Sequence, residues 1–312
     1  MKIPSSERSL DRIVNYINKT PLIKSDRLSS KNQNVFFKLE SFQKTGSFKV
    51  RGALNKVYST DFNSEIVAAS SGNHGAAVSY ALKTKKLKGR IYVPKSAKES
   101  KIKKIESYGS NVIRFGDDCL DAEYEAIKYS KIKNCQFISP YNDYDIISGQ
   151  GTLGVEIYNQ LPSIDAVFIT VGGGGLISGI GHYLKTVNPN IKIFGCSPLN
   201  SSIMINSLKS NEIINSESKE TLSDGSAGGV EEGSITHKFC KKYIDHSCLV
   251  SESDIASQII KSLNNEKILI EGAAAVAISS FLNLKNKIKH LKNIVILICG
   301  GNIGNKTLKS IL

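Results

Sequence analysis

The sequence predicts an α/β protein with two open, mostly parallel sheets, and two observations lead to this fold class. Short apolar runs suited to buried strands alternate with amphipathic stretches suited to helices, first over residues 35–131 and again over residues 166–298. Glycine and hydroxyl side chains gather where strands lead into helices, which is typical of the carboxyl edge of a parallel sheet.

The first half of the chain supplies four strand–helix pairs. Apolar runs predict strands at 35–39, 66–69, 91–93 and 112–115, and amphipathic stretches predict helices at 47–58, 73–87, 98–108 and 118–131. Because the pairs between residues 61 and 144 are compact, we expect residues 61–144 to form a small domain inserted into a large one, which comprises residues 1–60 and 145–312.

The second half of the chain repeats this alternation of strands and helices and completes the large domain. It predicts strands at 166–170, 191–196 and 294–298, and helices at 176–187, 253–265 and 271–284. Strands joined through a helix usually pair in parallel, so we expect most strands of both sheets to be parallel.

The chain is basic, and its 312 residues include 41 Lys and Arg against 28 Asp and Glu, a formal net charge of +13. Only six of the basic residues are Arg, the side chain suited to bidentate contacts with phosphates and bases. No aromatic residues interleave with the lysine clusters as they do in many nucleic-acid-binding proteins. We therefore expect a solvated lysine-rich surface and no nucleic-acid partner. A basic nucleic-acid-binding protein is the alternative from a non-enzymatic class.

No feature of the sequence indicates a membrane-spanning or secreted protein. The longest apolar run, residues 268–282, is shorter than the roughly 18 residues that span a bilayer, and Glu271 interrupts it. The first eight residues lack the apolar core of a secretory signal, and the six cysteines show no metal-ligand spacing. We expect a cytoplasmic protein with no membrane partner and no metal.

Lys49 lies at the start of the predicted helix 47–58, two residues after Ser47. Ser47 is a good N-cap residue, and the helix dipole disfavours a cation in the first turn, which lowers the pKa of an amine there. Such a lysine is a candidate nucleophile for a carbonyl compound, although an exposed first-turn lysine would have the same sequence.

A second junction, residues 70–75, contains Ser70, Ser71, Asn73 and His74 between a predicted strand and helix. Its hydroxyl groups, the free N–H groups and the helix dipole suit a small anion such as a carboxylate. A plain N-cap with turn glycines would look the same, and a lone histidine such as His74 is more often structural than catalytic.

Two further junctions are rich in glycine. After the predicted strand 166–170 come Gly172, Gly173, Gly174, Gly175 and Leu176. Four glycines cost backbone entropy, which makes sense where the main chain wraps a phosphate, and their spacing does not match dinucleotide sites. Cys299 precedes two more glycines after the last predicted strand, where a flat ligand can approach or the thiol is simply buried.

Together the four junctions require a ligand with one phosphate, a group that an amine attacks, and a partner with a carboxylate. Pyridoxal 5′-phosphate with a small amino-acid substrate meets all three requirements. The chain resembles the fold-type II pyridoxal-phosphate enzymes, specifically the threonine and serine dehydratases and the serine racemases. The resemblance extends over residues 20–22, 37–40, 44–52, 70–75, 172–176, 224–225 and 299–302.

The resemblance implies five contacts with the cofactor. Lys49 would bind it as a Schiff base, and Phe48 would pack near its ring. Asn73 would hydrogen-bond its phenolic oxygen, and Cys299 would face its pyridine nitrogen. The main-chain N–H groups of residues 172–176 would bind its phosphate.

The resemblance also implies which residues contact the substrate. The carboxylate would be bound by Ser70, Ser71, Asn73 and His74. Asp224 would line the substrate side of the site. Lys49 would remove the Cα proton, and Ser71 stands where racemases have their second base.

The activity expected from this resemblance is that of an ammonia-lyase, which converts L-threonine or L-serine to a 2-oxo acid and ammonia. One alternative is a dehydratase-like enzyme of ectoine or hydroxyectoine breakdown, and another is serine racemase. Family resemblance further suggests a homodimer.

The sequence departs from the family pattern in two places. Ser197 and Ile203 stand where metal-dependent relatives have an acidic pair, so we expect no divalent ion there. The chain ends soon after Asn302, so we expect no C-terminal regulatory domain of the kind found in biosynthetic threonine dehydratases.

Overall fold

The computed structural model describes residues 2–59, 65–214, 216 and 218–312 of the chain. Its strands form two separate sheets, one of six strands and one of four. The strands are β1 Leu22–Lys24, β2 Asn34–Leu39, β3 Ile66–Ala69, β4 Gly89–Val93, β5 Asn111–Arg114, β6 Gln136–Phe137, β7 Ala166–Thr170, β8 Lys192–Pro198, β9 His246–Val250 and β10 Asn293–Ile298.

The six-stranded sheet has the strand order β1-β2-β10-β7-β8-β9. Only β1 runs antiparallel to its neighbour, and the other described pairings are parallel, with Ile294 opposite both Val35 and Ala166. Every residue of β7 is buried, and so is every residue of β10 after Asn293. Continuous apolar runs of this kind are expected where helices cover both faces of a parallel sheet.

The four-stranded sheet has the order β5-β4-β3-β6, and all of its pairings are parallel. Its central strand β3 places Ile66 opposite Gly89 on one side and opposite Gln136 on the other. All four strands come from residues 66–137, between the second and seventh strands of the chain.

Twelve α-helices connect and cover the strands in the described part of the chain. They are α1 Ser6–Ile13, α2 Lys49–Ser59, α3 Asn73–Lys85, α4 Glu99–Glu106, α5 Cys119–Ile132, α6 Tyr144–Gln160, α7 Gly175–Val187, α8 Ile203–Ser210, α9 Ile235–Tyr243, α10 Glu252–Lys261, α11 Gly272–Leu284 and α12 Asn305–Ile311. Asp118 and Asp143 cap α5 and α6 by accepting hydrogen bonds from first-turn N–H groups. None of the described helices is long and apolar enough to cross a membrane.

The predicted fold class, two open and mostly parallel α/β sheets, is confirmed. The short strands β1, β6 and β9 were not predicted, because none of them carries the continuous apolar run of a buried strand. The inserted small domain, residues 61–144, stays a prediction, and its first boundary lies outside the described residues.

Candidate active site

A cleft of about 450 Å³ lies where β7 and β10 end and where α2, α7 and α11 begin. Loops at the carboxyl ends of parallel strands meet here, at the edge where α/β sheets usually bind ligands. The cleft is lined by Phe48, Lys49, Tyr141, Thr170, Gly172, Gly173, Gly174, Gly175, Leu176, Gly225, Ser226, Glu271, Ala273 and Cys299.

Lys49 is the first residue of α2, and its side chain enters the cleft. Its Nζ donates a hydrogen bond to the carbonyl oxygen of Pro140 at 2.9 Å and lies 5.4 Å from the centre of the Phe48 ring. Burial lowers the pKa of Lys49 to about 8, although Cys299 and Glu271 nearby oppose this shift. An amine of this kind is partly neutral near physiological pH and is therefore a competent nucleophile or base.

The prediction that Ser47 is the N-cap residue of α2 is wrong. Helix α2 begins at Lys49, and the buried Ser47 hydroxyl has no hydrogen-bond partner among the described residues. Ser47 forms an antiparallel bridge with Gly300, and the N–H of Phe48 donates to the carbonyl of Cys299 at 3.0 Å. These main-chain contacts fix the start of α2 to the end of β10, which brings Lys49 close to Cys299.

A buried cluster of charges anchors the first turn of α2. The Arg51 guanidinium donates to both oxygens of Glu40, at 2.7 and 2.9 Å, and to Glu156 at 2.8 Å. The Lys38 ammonium donates to the other oxygen of Glu156 at 2.6 Å. The side chains of Lys38, Glu40 and Arg51 are fully buried, so this network connects β2, α2 and α6 without access to water.

The glycines at 172–175 form the turn between β7 and α7, so the free N–H groups of that helix face the cleft. A Cβ at Gly173 would lie 2.3 Å from the Tyr141 ring, and one at Gly172 would lie 2.8 Å from the Ser226 carbonyl oxygen. Gly174 has a φ of +85°, and a Cβ there would lie 2.6 Å from the Cys240 sulfur. Neighbouring protein atoms therefore also require glycine at these positions, and the phosphate contact expected from the sequence stays a prediction.

The loop of residues 70–73 leads from β3 into α3. The Ser70 hydroxyl accepts a hydrogen bond from the N–H of Gly72 at 3.0 Å, which fixes the turn, and Ser71 is half-buried beside it. The His74 ring is buried, and its Nε2 donates to the carbonyl of Ile138 at 3.0 Å. Burial lowers the pKa of His74 to about 3, so this imidazole is neutral.

Asn73 connects this loop to the six-stranded sheet. Its Nδ2 donates to both carboxylate oxygens of Glu271, each at 3.0 Å, and its Oδ1 accepts from the Asn302 side chain at 2.7 Å. The main-chain N–H of Asn302 donates to Glu271 at 3.2 Å. Burial raises the pKa of Glu271, and the hydrogen bond from Asn73 opposes that shift by favouring the ionised form.

Cys299 lies next to Glu271, with its Sγ 4.0 Å from the nearer carboxylate oxygen. Burial raises the pKa of the Cys299 thiol well above its ordinary value, and the negative charge of Glu271 acts in the same direction. This thiol is therefore neutral.

Asp224 begins a short 3₁₀ helix beside the cleft, and its neighbours Gly225 and Ser226 line the cleft itself. The Asp224 carboxylate forms an ion pair with Lys101 of α4 at 3.1 Å and is largely exposed. The structure thus brings Phe48, Lys49, Cys299 and the glycine loop together in the lining of one cleft. Asn73 is hydrogen-bonded to the lining residue Glu271, and Asn73 and Asp224 themselves lie outside the lining. The predicted contacts of Ser70, Ser71, His74 and Asp224 with a substrate stay predictions.

The family model described as "Pyridoxal-phosphate dependent enzyme" matches residues 13–300. The chain belongs to this family of pyridoxal-phosphate-dependent enzymes. The resemblance read from the sequence and the cofactor it implies are thereby confirmed.

Curated relatives of this pyridoxal-phosphate-dependent enzyme include two that are named for L-threonine. The L-threonine ammonia-lyase of Thermotoga maritima is 38% identical over 96% of this chain and 75% of the relative. The catabolic L-threonine dehydratase of Escherichia coli K12 is 36% identical over 94% of this chain and 90% of the relative. Among solved structures, maize serine racemase matches with a TM-score of 0.93 and 30% identity, over 99% of this chain and 96% of that one.

The cleft of this pyridoxal-phosphate-dependent enzyme fits its cofactor on structural grounds. An amine with a lowered pKa, a glycine turn at a helix N-terminus and a neutral thiol meet the needs of the aldehyde, the phosphate and the ring nitrogen. Residues 172–175 leave no space for a Cβ, so the main chain itself faces the cleft.

Glu271, Tyr141 and Asn302 are among the residues of the site that had no individual role predicted from the sequence, although Asn302 ends the stretch 299–302 that carries the resemblance. Glu271 had one available signal, because it is an acidic residue that interrupts the longest apolar run just before a helix. Tyr141 and Asn302 had no such signal, since their neighbours in space come from distant parts of the chain.

Proposed function

We propose that this enzyme is a pyridoxal-phosphate-dependent ammonia-lyase that converts L-threonine or L-serine to a 2-oxo acid and ammonia. The observation that carries the proposal is the meeting of the Lys49 amine and the glycine turn before α7 in one cleft, whose lining residue Glu271 is hydrogen-bonded to Asn73 in the first turn of α3. The two relatives named for L-threonine support this substrate class.

Lys49 is the proposed base of the reaction. Pyridoxal phosphate, when bound, withdraws electrons from an attached amino acid and so makes its Cα proton acidic. The Lys49 amine, whose pKa burial lowers to about 8, then accepts this proton. Its hydrogen bond to Pro140 holds Nζ in the cleft in the absence of substrate.

The turn before α3 is the proposed site for the substrate carboxylate. The turn is fixed by the hydrogen bond between Ser70 and Gly72, and the first N–H groups of α3 are free to donate. An anion is favoured at such a helix N-terminus. The His74 ring is already bound to Ile138, so we propose that His74 contributes only its main-chain N–H.

The neutral Cys299 thiol favours elimination over a long-lived carbanion. A carboxylate in contact with the ring nitrogen would hold a proton there and stabilise negative charge on the ring, whereas a neutral thiol provides no such charge. Glu271 is the nearest carboxylate, but N–H groups of Asn73 and Asn302 occupy its oxygens. Loss of the β-hydroxyl group is then the favoured outcome of Cα deprotonation.

Serine racemase activity is the second candidate. Ser71 is half-buried in the loop before α3, and the fold closely matches maize serine racemase. Racemisation would need a second base on the face of the substrate opposite Lys49, and Ser71 is the proposed group.

Product analysis tests the proposal and separates the two candidates. The purified protein is incubated with pyridoxal phosphate and either L-threonine or L-serine, and the 2-oxo acid, ammonia and D-serine are measured. We expect equal amounts of 2-oxo acid and ammonia. D-serine without pyruvate would support the racemase, and the absence of all three products would overturn both candidates.

A further inference from the structure

The side chains of Lys104, Asn302, Asn73 and Glu271 form one continuous row of hydrogen bonds that ends at the cleft, which Glu271 lines. Lys104 Nζ donates to Asn302 Oδ1 at 2.8 Å, and Asn302 Nδ2 donates to Asn73 Oδ1 at 2.7 Å. Asn73 Nδ2 then donates to the Glu271 carboxylate at 3.0 Å. The row therefore joins helix α4, beside the four-stranded sheet, to the loops of the six-stranded sheet.

The direction of every hydrogen bond in this row follows from the Lys104 end. Lys104 Nζ donates to the oxygen of Asn302, so the nitrogen of Asn302 is the group that faces Asn73, and the nitrogen of Asn73 is left facing Glu271. Both carboxamides therefore have one compatible orientation. A second acceptor supports it, because the carbonyl oxygen of Thr45 receives hydrogen bonds from both Asn302 Nδ2 at 2.9 Å and Lys104 Nζ at 3.0 Å. A flipped Asn302 would bring its oxygen against that carbonyl.

This orientation decides what Asn73 offers to a ligand. Its nitrogen lies on the side of Glu271 and Gly225, which both line the cleft, and a Cβ at Gly225 would lie 3.8 Å from it. Its oxygen is engaged by Asn302. The nitrogen of Asn73, which donates to Glu271, is therefore the atom of this carboxamide nearer to the lining residues Glu271 and Gly225, and a nitrogen donor suits an oxygen that carries negative charge.

We propose that Asn302, held between Lys104 and Thr45, is a positioning residue that keeps the carboxamide nitrogen of Asn73 on the side of Glu271, at the edge of the site that binds the cofactor. Asn302 does not line the cleft and acts through Asn73. The inference rests on the proposed function only through the identity of the cofactor. It goes beyond the proposed reaction because it assigns roles to Lys104 and Asn302, which take no part in that reaction.

Replacing Asn302 with Asp tests whether Asn302 orients the Asn73 carboxamide or only links Lys104 to the site. Asn302→Asp keeps the acceptor for Lys104 and makes that contact an ion pair, but it puts an oxygen against the oxygens of Asn73 and Thr45. We expect the Kd for pyridoxal phosphate to rise by roughly fivefold to tenfold, as for the loss of one hydrogen bond, and the absorbance maximum of the bound cofactor to shift. An Asn302→Asp protein with an unchanged Kd and spectrum would overturn the proposal.

Lys104→Met provides the second variant, with Lys103→Met as the matched control. Lys103 is exposed on the same helix, and no side-chain contact is described for it, so its loss should leave the Kd unchanged. Lys104→Met should raise the Kd, but should have no further effect in an Asn302→Ala background, because Lys104 acts through that side chain. Fully additive effects on the Kd would contradict the proposal.

These measurements remain informative if the proposed reaction is wrong. Failure of the wild-type protein to release a 2-oxo acid would overturn the lyase assignment, while the Kd series would still test the role of Asn302. Thermal unfolding of the cofactor-free variants completes the test. A loss of cofactor affinity without a matching loss of stability supports positioning, and a loss of affinity that merely follows unfolding overturns it.

Discussion

The Asn73 carboxamide donates to both oxygens of the Glu271 carboxylate, at 3.0 Å each, and so joins the helix α3 to the N-terminus of α11. One residue follows a strand of the four-stranded sheet and the other precedes a helix packed on the six-stranded sheet. This contact therefore connects the two halves of the cleft directly.

Replacing Glu271 with Gln should weaken cofactor binding. A glutamine offers one acceptor where the carboxylate offers two, and its own N–H₂ would face the N–H groups of Asn73 or Asn302. A hydrogen bond to a charged group contributes about 1.5–3 kcal/mol, so we expect at least a tenfold rise in the Kd for pyridoxal phosphate. Fluorescence titration measures this Kd, and Glu232→Gln, at an exposed position, is the control.

The rate at which the cofactor-free protein captures pyridoxal phosphate should rise with pH. Only the neutral amine attacks the aldehyde, and burial lowers the pKa of Lys49 to about 8, so the neutral fraction increases as the pH rises through that value. Between pH 7 and pH 9 we expect an increase of roughly tenfold, measured by stopped-flow absorbance. A rate that keeps rising with the same slope to pH 10 would indicate an ordinary exposed lysine instead.

Gly173→Ala should reduce cofactor affinity and stability together. The new Cβ would lie 2.3 Å from the Tyr141 ring, so either the ring or the glycine turn must move. Overpacking of this kind costs about 1–3 kcal/mol, which chemical unfolding measures. Gly229→Ala is the matched control, because a Cβ there meets nothing within 4 Å and its φ is not positive. Equal effects of the two substitutions would refute this account of the turn.

Glu156→Ala should strongly destabilise the protein. It removes the carboxylate that pairs with Lys38 and one of the two carboxylates that pair with Arg51, and it leaves uncompensated charge in the interior. Loss of one member of a buried ion pair costs about 3–5 kcal/mol in the free energy of unfolding, measured by urea denaturation. The exposed Glu106→Ala should change it by less than about 0.5 kcal/mol. A small effect of Glu156→Ala would mean that α2 does not depend on this cluster.

The sequence predicted the parts of the fold that depend on continuous local patterns. The buried strands β7 and β10 are apolar runs, and the helices α2 and α7 follow glycine-rich or hydroxyl-rich turns, so each has a signal within a few residues. Strand β9 was missed because its residues are mostly half-buried or exposed.

The site was predictable only where the chemistry of a residue is visible in its own neighbourhood. Lys49 and the glycines at 172–175 have such local signals, and both line the cleft. The hydrogen bonds between Asn73 and Glu271 join residues that are 198 positions apart in the sequence. Position 173 requires glycine because a side chain there would collide with Tyr141, which lies 32 positions earlier. Contacts of this kind follow from the tertiary structure, and no local pattern encodes them.

The most direct test of the account is chemical trapping of the cofactor. The holoenzyme is treated with sodium borohydride, which reduces a Schiff base to a stable secondary amine, and the modified peptide is identified by mass spectrometry. We predict a phosphopyridoxyl group on Lys49 and its loss in Lys49→Ala, while Lys44→Ala, at an exposed neighbouring lysine, retains it. A label on any other lysine of the wild-type protein, or no label at all, would contradict the assignment of this cleft as the active site.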